Sequence, residues 1–114
     1  DQVFYRFLGG GIDFGETSVD ALKREFQEEI QAELTNIEYL TCLDNIFTCN
    51  GKPGHELIQL FRCDFVSPKF YDLDRTYTLI EGKRKCDAIW IPTTQVRSAQ
   101  LNLVPEACHR YIYD

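Results

Sequence analysis

An α+β domain with a mixed sheet is the fold class that this chain of 114 residues predicts. Three observations carry that reading. One segment has the apolar spacing of an amphipathic helix. Several strand-like runs, bounded by glycine, asparagine and proline, outnumber it. The length suits one sizeable core, so residues 1–114 are read as a single domain.

The elements follow in chain order. Val3–Leu8 is rich in aromatic and branched residues and stops at Gly9-Gly10-Gly11, which reads as a strand and its breaker. Ile12–Glu16 is a loop with a turn at Gly15. Thr17 or Ser18 then caps a helix that runs to about Gln31, with Asp20 placed as a capping-box acid. Inside it Val19, Leu22, Phe26 and Ile30 recur at helical spacing and form the packing stripe. Asn36–Cys49 and Glu56–Val66 read as strands joined through Asn50-Gly51-Lys52-Pro53-Gly54, where Asn-Gly is a strong hairpin signal. Ser67–Lys85 reads as a long polar connection and Cys86–Ile91 as a strand ended by Pro92. Pro105 suits a first helical turn, so Val104–Tyr113 is expected to be a terminal helix with Ala107, Cys108, Tyr111 and Ile112 inward.

The bulk numbers exclude some function classes. A net charge of −6 and a pI near 4.8 argue against generic nucleic-acid or anionic-membrane binding, which needs a basic surface. They leave room for a phosphorylated small molecule, because a divalent cation reverses the local sign. No apolar run approaches the roughly 20 residues needed to cross a bilayer. The five cysteines are scattered without a C-x-x-C pair, and the two histidines, His55 and His109, are far apart, so a structural zinc site is not expected. They read as free thiols, mostly buried or half-buried, in a cytoplasmic protein.

Most of the functional content lies on the helix. Glu25, Glu28 and Glu29 are separated by three and four positions and share one face about a turn long. Acid-rich helical faces are usually solvated surface, and Arg24 and Glu28 form an i, i+4 pair that offsets some repulsion. Against that reading stand the glycine-rich loop just ahead, which lets backbone approach a ligand closely, and a further acid, Glu16. The spacing G-x5-E-x7-R-E-F-x-E-E, running through Gly10, Glu16, Arg24, Glu25, Phe26, Glu28 and Glu29, fixes seven positions at set offsets.

With these residues the segment Gly10–Ala32 resembles the signature of the Nudix hydrolase family, G-x5-E-x7-R-E-U-x-E-E-x-G-U with U a bulky aliphatic residue. The resemblance implies an α/β/α sandwich with a mixed sheet and Mg²⁺- or Mn²⁺-dependent hydrolysis of a nucleoside diphosphate linked to another moiety. Carried over by position, it makes Glu28 and Glu29 metal ligands at the catalytic centre and Glu25 a further ligand or the general base. Gly9 would give its backbone carbonyl to the metal and Arg24 would orient a catalytic carboxylate. Gly10 and Glu16 would support the loop–helix junction. Mg²⁺ takes hard oxygen ligands and keeps several waters, so clustered glutamates suit it and their repulsion is relieved by it.

The chain departs from the signature in several places. Gln31 stands where the helix-closing glycine is expected, a change that costs up to about 1 kcal/mol if the residue is left-handed. The following aliphatic position is Ala32, the proline usual before the glycines is Leu8, and the bulky position is aromatic Phe26. The family also has strands ahead of the segment matching Val3–Leu8, so the chain is expected to lack its N-terminal strand or strands. An earlier natural start is the preferred account; the other is a partner that supplies that part of the sheet, and a homodimer stays open.

Outside the motif, Glu81 is the first candidate for an additional acid and Glu56 the second, although each is individually more often plain surface. Lys83, Arg84 and Lys85 beside Glu81 could hold a phosphate, and a solvated loop explains them equally well. A structural or exposed role is expected for His55. Tyr71 and Tyr77 could stack a base, whereas Trp90 and Phe47 are expected in the core. Gly9–Gly11 is not a P-loop, since no Gly-Lys-Ser/Thr follows. Neither the proline of many ADP-ribose hydrolases nor the tyrosine of many dinucleoside-polyphosphate hydrolases stands in Asn45–Cys49, so a nucleotide-type diphosphate is the default substrate. The rival readings are a non-catalytic Nudix-fold module that binds a nucleotide for regulation, and a structural domain with an acidic surface helix.

Overall fold

A computed structural model of the chain describes residues 4–98 and 101–112. In order it has β1 (Phe4–Arg6), α1 (Ser18–Ile30), β2 (Leu34–Cys49), β3 (Lys52–Phe65), a 3-10 turn (Pro68–Tyr71), β4 (Tyr77–Glu81), β5 (Arg84–Ala88), α2 (Thr93–Arg97), β6 (Asn102–Val104) and a second 3-10 segment (Glu106–Tyr111). The fold is α+β with strands outnumbering helices, as the sequence implies. The chain divides into two compact units, and the described residues fall into a helix unit within Leu8–Ile37 and Cys63–Pro92 and a hairpin unit within 4–7, Glu38–Arg62, 93–98 and 101–112.

The helix unit is organised by α1. Thr17 is its cap, in extended backbone, and its hydroxyl accepts from the Asp20 N–H at 3.1 Å. That satisfies one of the orphan donors of the first turn. At the other end Gln31 takes φ 55° and ψ 44°, the left-handed conformation expected of the position, and its N–H closes on Gln27 O at 3.2 Å. Phe26 and Ile30 of the stripe are buried with Ala32, Leu34, Phe70, Tyr77, Leu79 and Ala88, while Leu22 packs at the margin. Full burial of one large apolar side chain is worth about 1.5–3 kcal/mol, so this cluster holds the greasy face of α1 in place. Of the acids of α1, Glu28 is left exposed and Glu25 partly so, while Glu29 beside the stripe is buried.

Ser67–Lys85, read as a connection that is not regular throughout, holds more regular structure than its polar composition suggests. It contains the 3-10 turn, all of β4 and the start of β5. Tyr77 and Leu79 are buried and alternate with exposed Thr78 and Ile80, a short period-2 pattern that the polar residues around it obscure. β4 and β5 pair antiparallel, with Tyr77 opposite Ala88, Leu79 opposite Cys86 and Glu81 opposite Arg84. Gly82 makes the tight turn between them at φ 61°. β5 therefore starts ahead of Cys86 and stops at Ala88, short of the expected end at Ile91, and Trp90 is 38% exposed, not core. It is held at the surface because its indole donates to Phe70 O at 2.7 Å and its ring stacks on Tyr71. Tyr77 is a core post whose hydroxyl donates to Lys69 O at 2.7 Å, which removes it from any base-stacking role.

In the hairpin unit β1 pairs parallel with β6, Phe4 opposite Asn102 and Arg6 opposite Val104. β1 is shorter than the expected Val3–Leu8, of which Val3 lies outside the described residues. Asn50 and Gly51 take φ 54° and 78°, the two positive values of a two-residue hairpin turn. That turn suffices alone, so β3 begins at Lys52 and carries Pro53 and Gly54 within it. Phe47 is 40% exposed and lies over Gly54, where a Cβ would meet its ring; it too is not core. The terminal helix is the 3-10 segment from Glu106, because Pro105 caps it in extended backbone instead of opening its first turn. Cys108 is buried and Tyr111 and Ile112 half-buried, but Ala107 is exposed; Tyr113 lies outside the described residues.

Candidate active site

Arg24 ties the glycine loop to the helix. Its Nε and Nη2 donate to the two oxygens of Glu16 at 3.1 and 2.6 Å, a two-pronged fork that an ammonium could not reproduce. Nη2 also donates to the Gly11 carbonyl at 2.9 Å, and Nη1 donates to Glu25 Oε1 at 2.9 Å and reaches Glu28 Oε2 at 3.4 Å. Asp13 adds a carboxylate 3.4 Å away, and its N–H donates to Glu16 Oε1 at 2.7 Å. The Arg24 bonds, then the Asp13 N–H, hold the Glu16 carboxyl below the usual carboxylate range. The same bonds, led by Glu16, hold the guanidinium more firmly protonated than usual.

The acids meet in one place. Gly9, Gly10 and Gly11, Glu25, Glu28 and Glu29 of α1, and Ile80, Glu81 and Gly82 of the β4–β5 hairpin line an open cleft of about 320 Å³ within the helix unit. Each contributor arrives by a different route. The glycines come from the strand-breaking loop and the three glutamates from a second face of α1, with Glu29 next to the packing stripe and Glu28 farthest from it. Glu81 comes from the end of β4, where the buried Tyr77–Leu79 row runs out. Glu28 is exposed, Glu25 is largely covered, and Glu29 is buried at 7% relative exposure. Gly10 touches the site most closely: a Cβ built there would run into the Glu25 carboxylate. That explains a glycine at this position without any appeal to φ.

The structure thus brings together Gly9, Gly10, Glu25, Glu28, Glu29 and Glu81, with Arg24 and Glu16 directly behind them. Glu56 is not among the lining residues; it accepts from Asn45 Nδ2 at 3.0 Å on the hairpin. His55 lies on the same hairpin, 3.1 Å from Asp44 Oδ1, which agrees with an exposed structural role. Lys83, Arg84 and Lys85 are exposed on the turn and strand that follow Glu81. Sequence reasoning missed the Gly11 carbonyl, Asp13, Ile80 and Gly82. Only Gly82 left a signal, as a glycine at a tight turn beside a candidate acid.

The donor chemistry fits a hard divalent cation, since every candidate ligand in the cleft is a carboxylate or carbonyl oxygen. Among the described residues no three His, Cys, Asp or Glu side chains are already gathered as a finished coordination set, so the fit is one of donor type and common cleft. The cysteines offer no rival centre. All five are free, and burial pushes the Cys63 and Cys108 thiols above their usual range.

Comparison with protein families decides what this arrangement belongs to: the NUDIX domain matches over residues 2–112. The chain belongs to the Nudix family. The match extends far beyond the motif and takes in both units. No curated protein sequence matches the chain. Nudix proteins are generally hydrolases that use divalent metals, and membership points to pyrophosphohydrolase activity on a small molecule. Among the described residues no helix is long and apolar enough to cross a membrane.

Proposed function

We propose that this Nudix protein hydrolyses the pyrophosphate bond of a nucleoside-diphosphate-linked small molecule with Mg²⁺ or Mn²⁺, as a single cytoplasmic domain with the family's α/β/α sandwich. The observation that carries the reading is the convergence of Glu25, Glu28, Glu29 and Glu81 with four glycines around one cleft. Glu28 and Glu29 would hold the metal with the Gly9 carbonyl, and Glu25 would be a further ligand or the base that takes the proton of the attacking water. A bound divalent ion supplies charge neutralisation on the phosphate oxygens and orients water. We assign the additional acid to Glu81 over Glu56, because Glu81 lines the cleft.

The chain's own residues account for the rest. Water attacks one phosphorus, the bond from that phosphorus to the bridging oxygen breaks, and the water proton passes to a carboxylate. Arg24 fixes Glu25 by its hydrogen bond and fixes the loop through Glu16 and the Gly11 carbonyl. Gly10 leaves room for the Glu25 carboxylate, which a Cβ at that position would displace.

The test is product release from a panel of nucleoside-diphosphate compounds with Mg²⁺ or Mn²⁺, with Glu29→Gln as the control. Metal-dependent turnover that collapses in the variant supports the hydrolase. A folded wild-type protein that binds Mg²⁺ and a nucleotide but turns over nothing would overturn it in favour of a regulatory binding module.

A further inference from the structure

Nearly everything that lines the cleft is suited to charge. Of its nine lining residues, four are glycines and four are glutamates. Glycine offers backbone N–H and C=O groups and glutamate offers carboxylate oxygens, so these eight meet cations and polar groups and present little carbon surface. The ninth is Ile80. Pockets that hold organic ligands are ordinarily lined by apolar and aromatic side chains with a few polar groups, and here that proportion is reversed.

Ile80 is not used by the core. Tyr77 and Leu79 on the same strand are buried in the cluster that holds α1, but Ile80 belongs neither to that cluster nor to the apolar side chains packed against it. It is left 40% exposed. An isolated exposed isoleucine needs no explanation, whereas one set into the wall of an acidic cleft does. It stands one strand step, about 3.3 Å, from Glu81, so a group that touches it lies next to the acids.

We propose that Ile80 packs against the sugar that adjoins the diphosphate of the substrate. The assignment rests on the hydrolase reading and deepens it. In a nucleoside diphosphate the ribose is bonded directly to the phosphate chain and carries the first C–H surface beyond it; the base is a further step away. Isoleucine has no side-chain donor or acceptor, so the contact is non-directional. It favours carbon surface removed from water and does not read the edge of a base. The sugar takes no part in the bond that breaks, so Ile80 contributes equally to ground and transition states. Its loss raises KM and spares kcat.

ADP and UDP, each with Mg²⁺, are the probes, titrated calorimetrically into the wild-type protein and into Ile80→Ala, Ile80→Thr and Ile80→Val, with Mg²⁺ alone titrated beside them. Melting curves check that each variant is folded, and Ile80→Thr, which keeps the branch at Cβ, stands in for an alanine variant that is not. Ile80→Ala is expected to weaken both nucleotides by the same factor, roughly fivefold or more, and Ile80→Val to stay within about threefold of wild type. Ile80→Thr should bind both more weakly than Ile80→Val, which has the same shape without the hydroxyl. Binding of Mg²⁺ alone should not change. Nucleotide binding by Ile80→Ala equal to wild type overturns the assignment, and so does a loss confined to one nucleotide, which would place the contact at the base. A matching loss of Mg²⁺ binding also overturns it, because Ile80 would then act on the shape of the metal site. Each of these results leaves the hydrolase reading intact. A wild-type protein that binds neither nucleotide removes the nucleotide reading, and the Ile80 assignment with it.

Discussion

The helix unit and the hairpin unit use the same polar residue types for different ends. On the hairpin, polar side chains meet in pairs along an exposed ribbon: Arg62 with Glu38, His55 with Asp44, and Asn45 with Glu56. Each such pair is local and solvated, and exposed pairs of this kind are worth about 0–1 kcal/mol. In the helix unit one arginine is shared among Glu16, Glu25, Glu28 and a backbone carbonyl, and further acids face the same cleft. A glutamate gains chemical meaning from convergence, not from its presence. The contrast is open to direct attack.

The largest effect should come from exchanging one acid in each region. Glu28→Gln is expected to lower metal-dependent hydrolysis roughly a thousandfold, the several kcal/mol of transition-state stabilisation that a lost metal ligand removes. Glu81→Gln should cost roughly tenfold to a hundredfold, and Glu56→Gln on the hairpin less than about twofold. Steady-state turnover under saturating Mg²⁺ ranks the three. A Glu56 variant as poor as the Glu81 variant would transfer the additional acid to the hairpin.

A backbone position gives the next test. Gly10→Ala should lower kcat roughly a hundredfold, because the new methyl displaces the Glu25 carboxylate and small misplacements of reacting groups are expensive. Gly11→Ala meets nothing within 4 Å and should leave the Glu25 carboxylate where it is. Comparable melting temperatures with divergent kcat would locate the effect in the site. If both variants lose activity equally, the loop matters as a whole and the contact with Glu25 does not.

Much of α1 was legible in sequence because its information is local. The cap Thr17, the stripe ending in Phe26 and Ile30, and the left-handed exit at Gln31 lie within one short segment, and so do the three cleft glutamates. What escaped depends on pieces distant in the chain. Nothing near Glu81 says that β4 ends beside α1, and nothing near Phe4 says that it pairs with Asn102. Trp90 and Phe47 were misjudged because apolar character sets a preference for burial, while the short β5 and the tight turn at Asn50-Gly51 decide where those rings end up. Gly10 reads as a flexible loop residue until the Glu25 carboxylate is seen against it.

Acid should separate the two kinds of ion pair. The Glu16 carboxyl is held below its usual range by Arg24 and the Asp13 N–H, so its folded pKa is depressed. A group of that sign contributes stability that is present above the unfolded carboxylate value and lost as pH falls through the folded one. Glu16→Gln should therefore melt below wild type at pH 7, and the gap should close progressively below about pH 4. Arg24 stays charged throughout and adds no pH dependence of its own. On the hairpin Glu38→Gln should shift the melting temperature little at either pH, as an exposed pair does. A Glu16→Gln gap that persisted unchanged at pH 3 would mean that packing, not charge, makes the contact matter.

The smallest effect concerns backbone alone. Gln31 and Asn50 have nearly the same left-handed φ, 55° and 54°, but asparagine adopts that conformation readily and glutamine does not. Gln31 recovers part of the cost by donating its side-chain amide to Glu28 O at 3.2 Å, an exposed bond of small net worth. Relief of strain should slightly outweigh that bond and the added chain entropy of glycine. Gln31→Gly is therefore expected to stabilise the protein by about 0.5 kcal/mol in urea unfolding, and Asn50→Gly to change it by no more than a few tenths. Turnover should not follow stability here, because Gln31 is absent from the cleft lining and the left-handed exit is already in place. A destabilised Gln31→Gly would show that the amide bond to Glu28 outweighs the strain; the glutamine would then be a stabilising choice at this helix end, tied through its neighbour to the acids of the site.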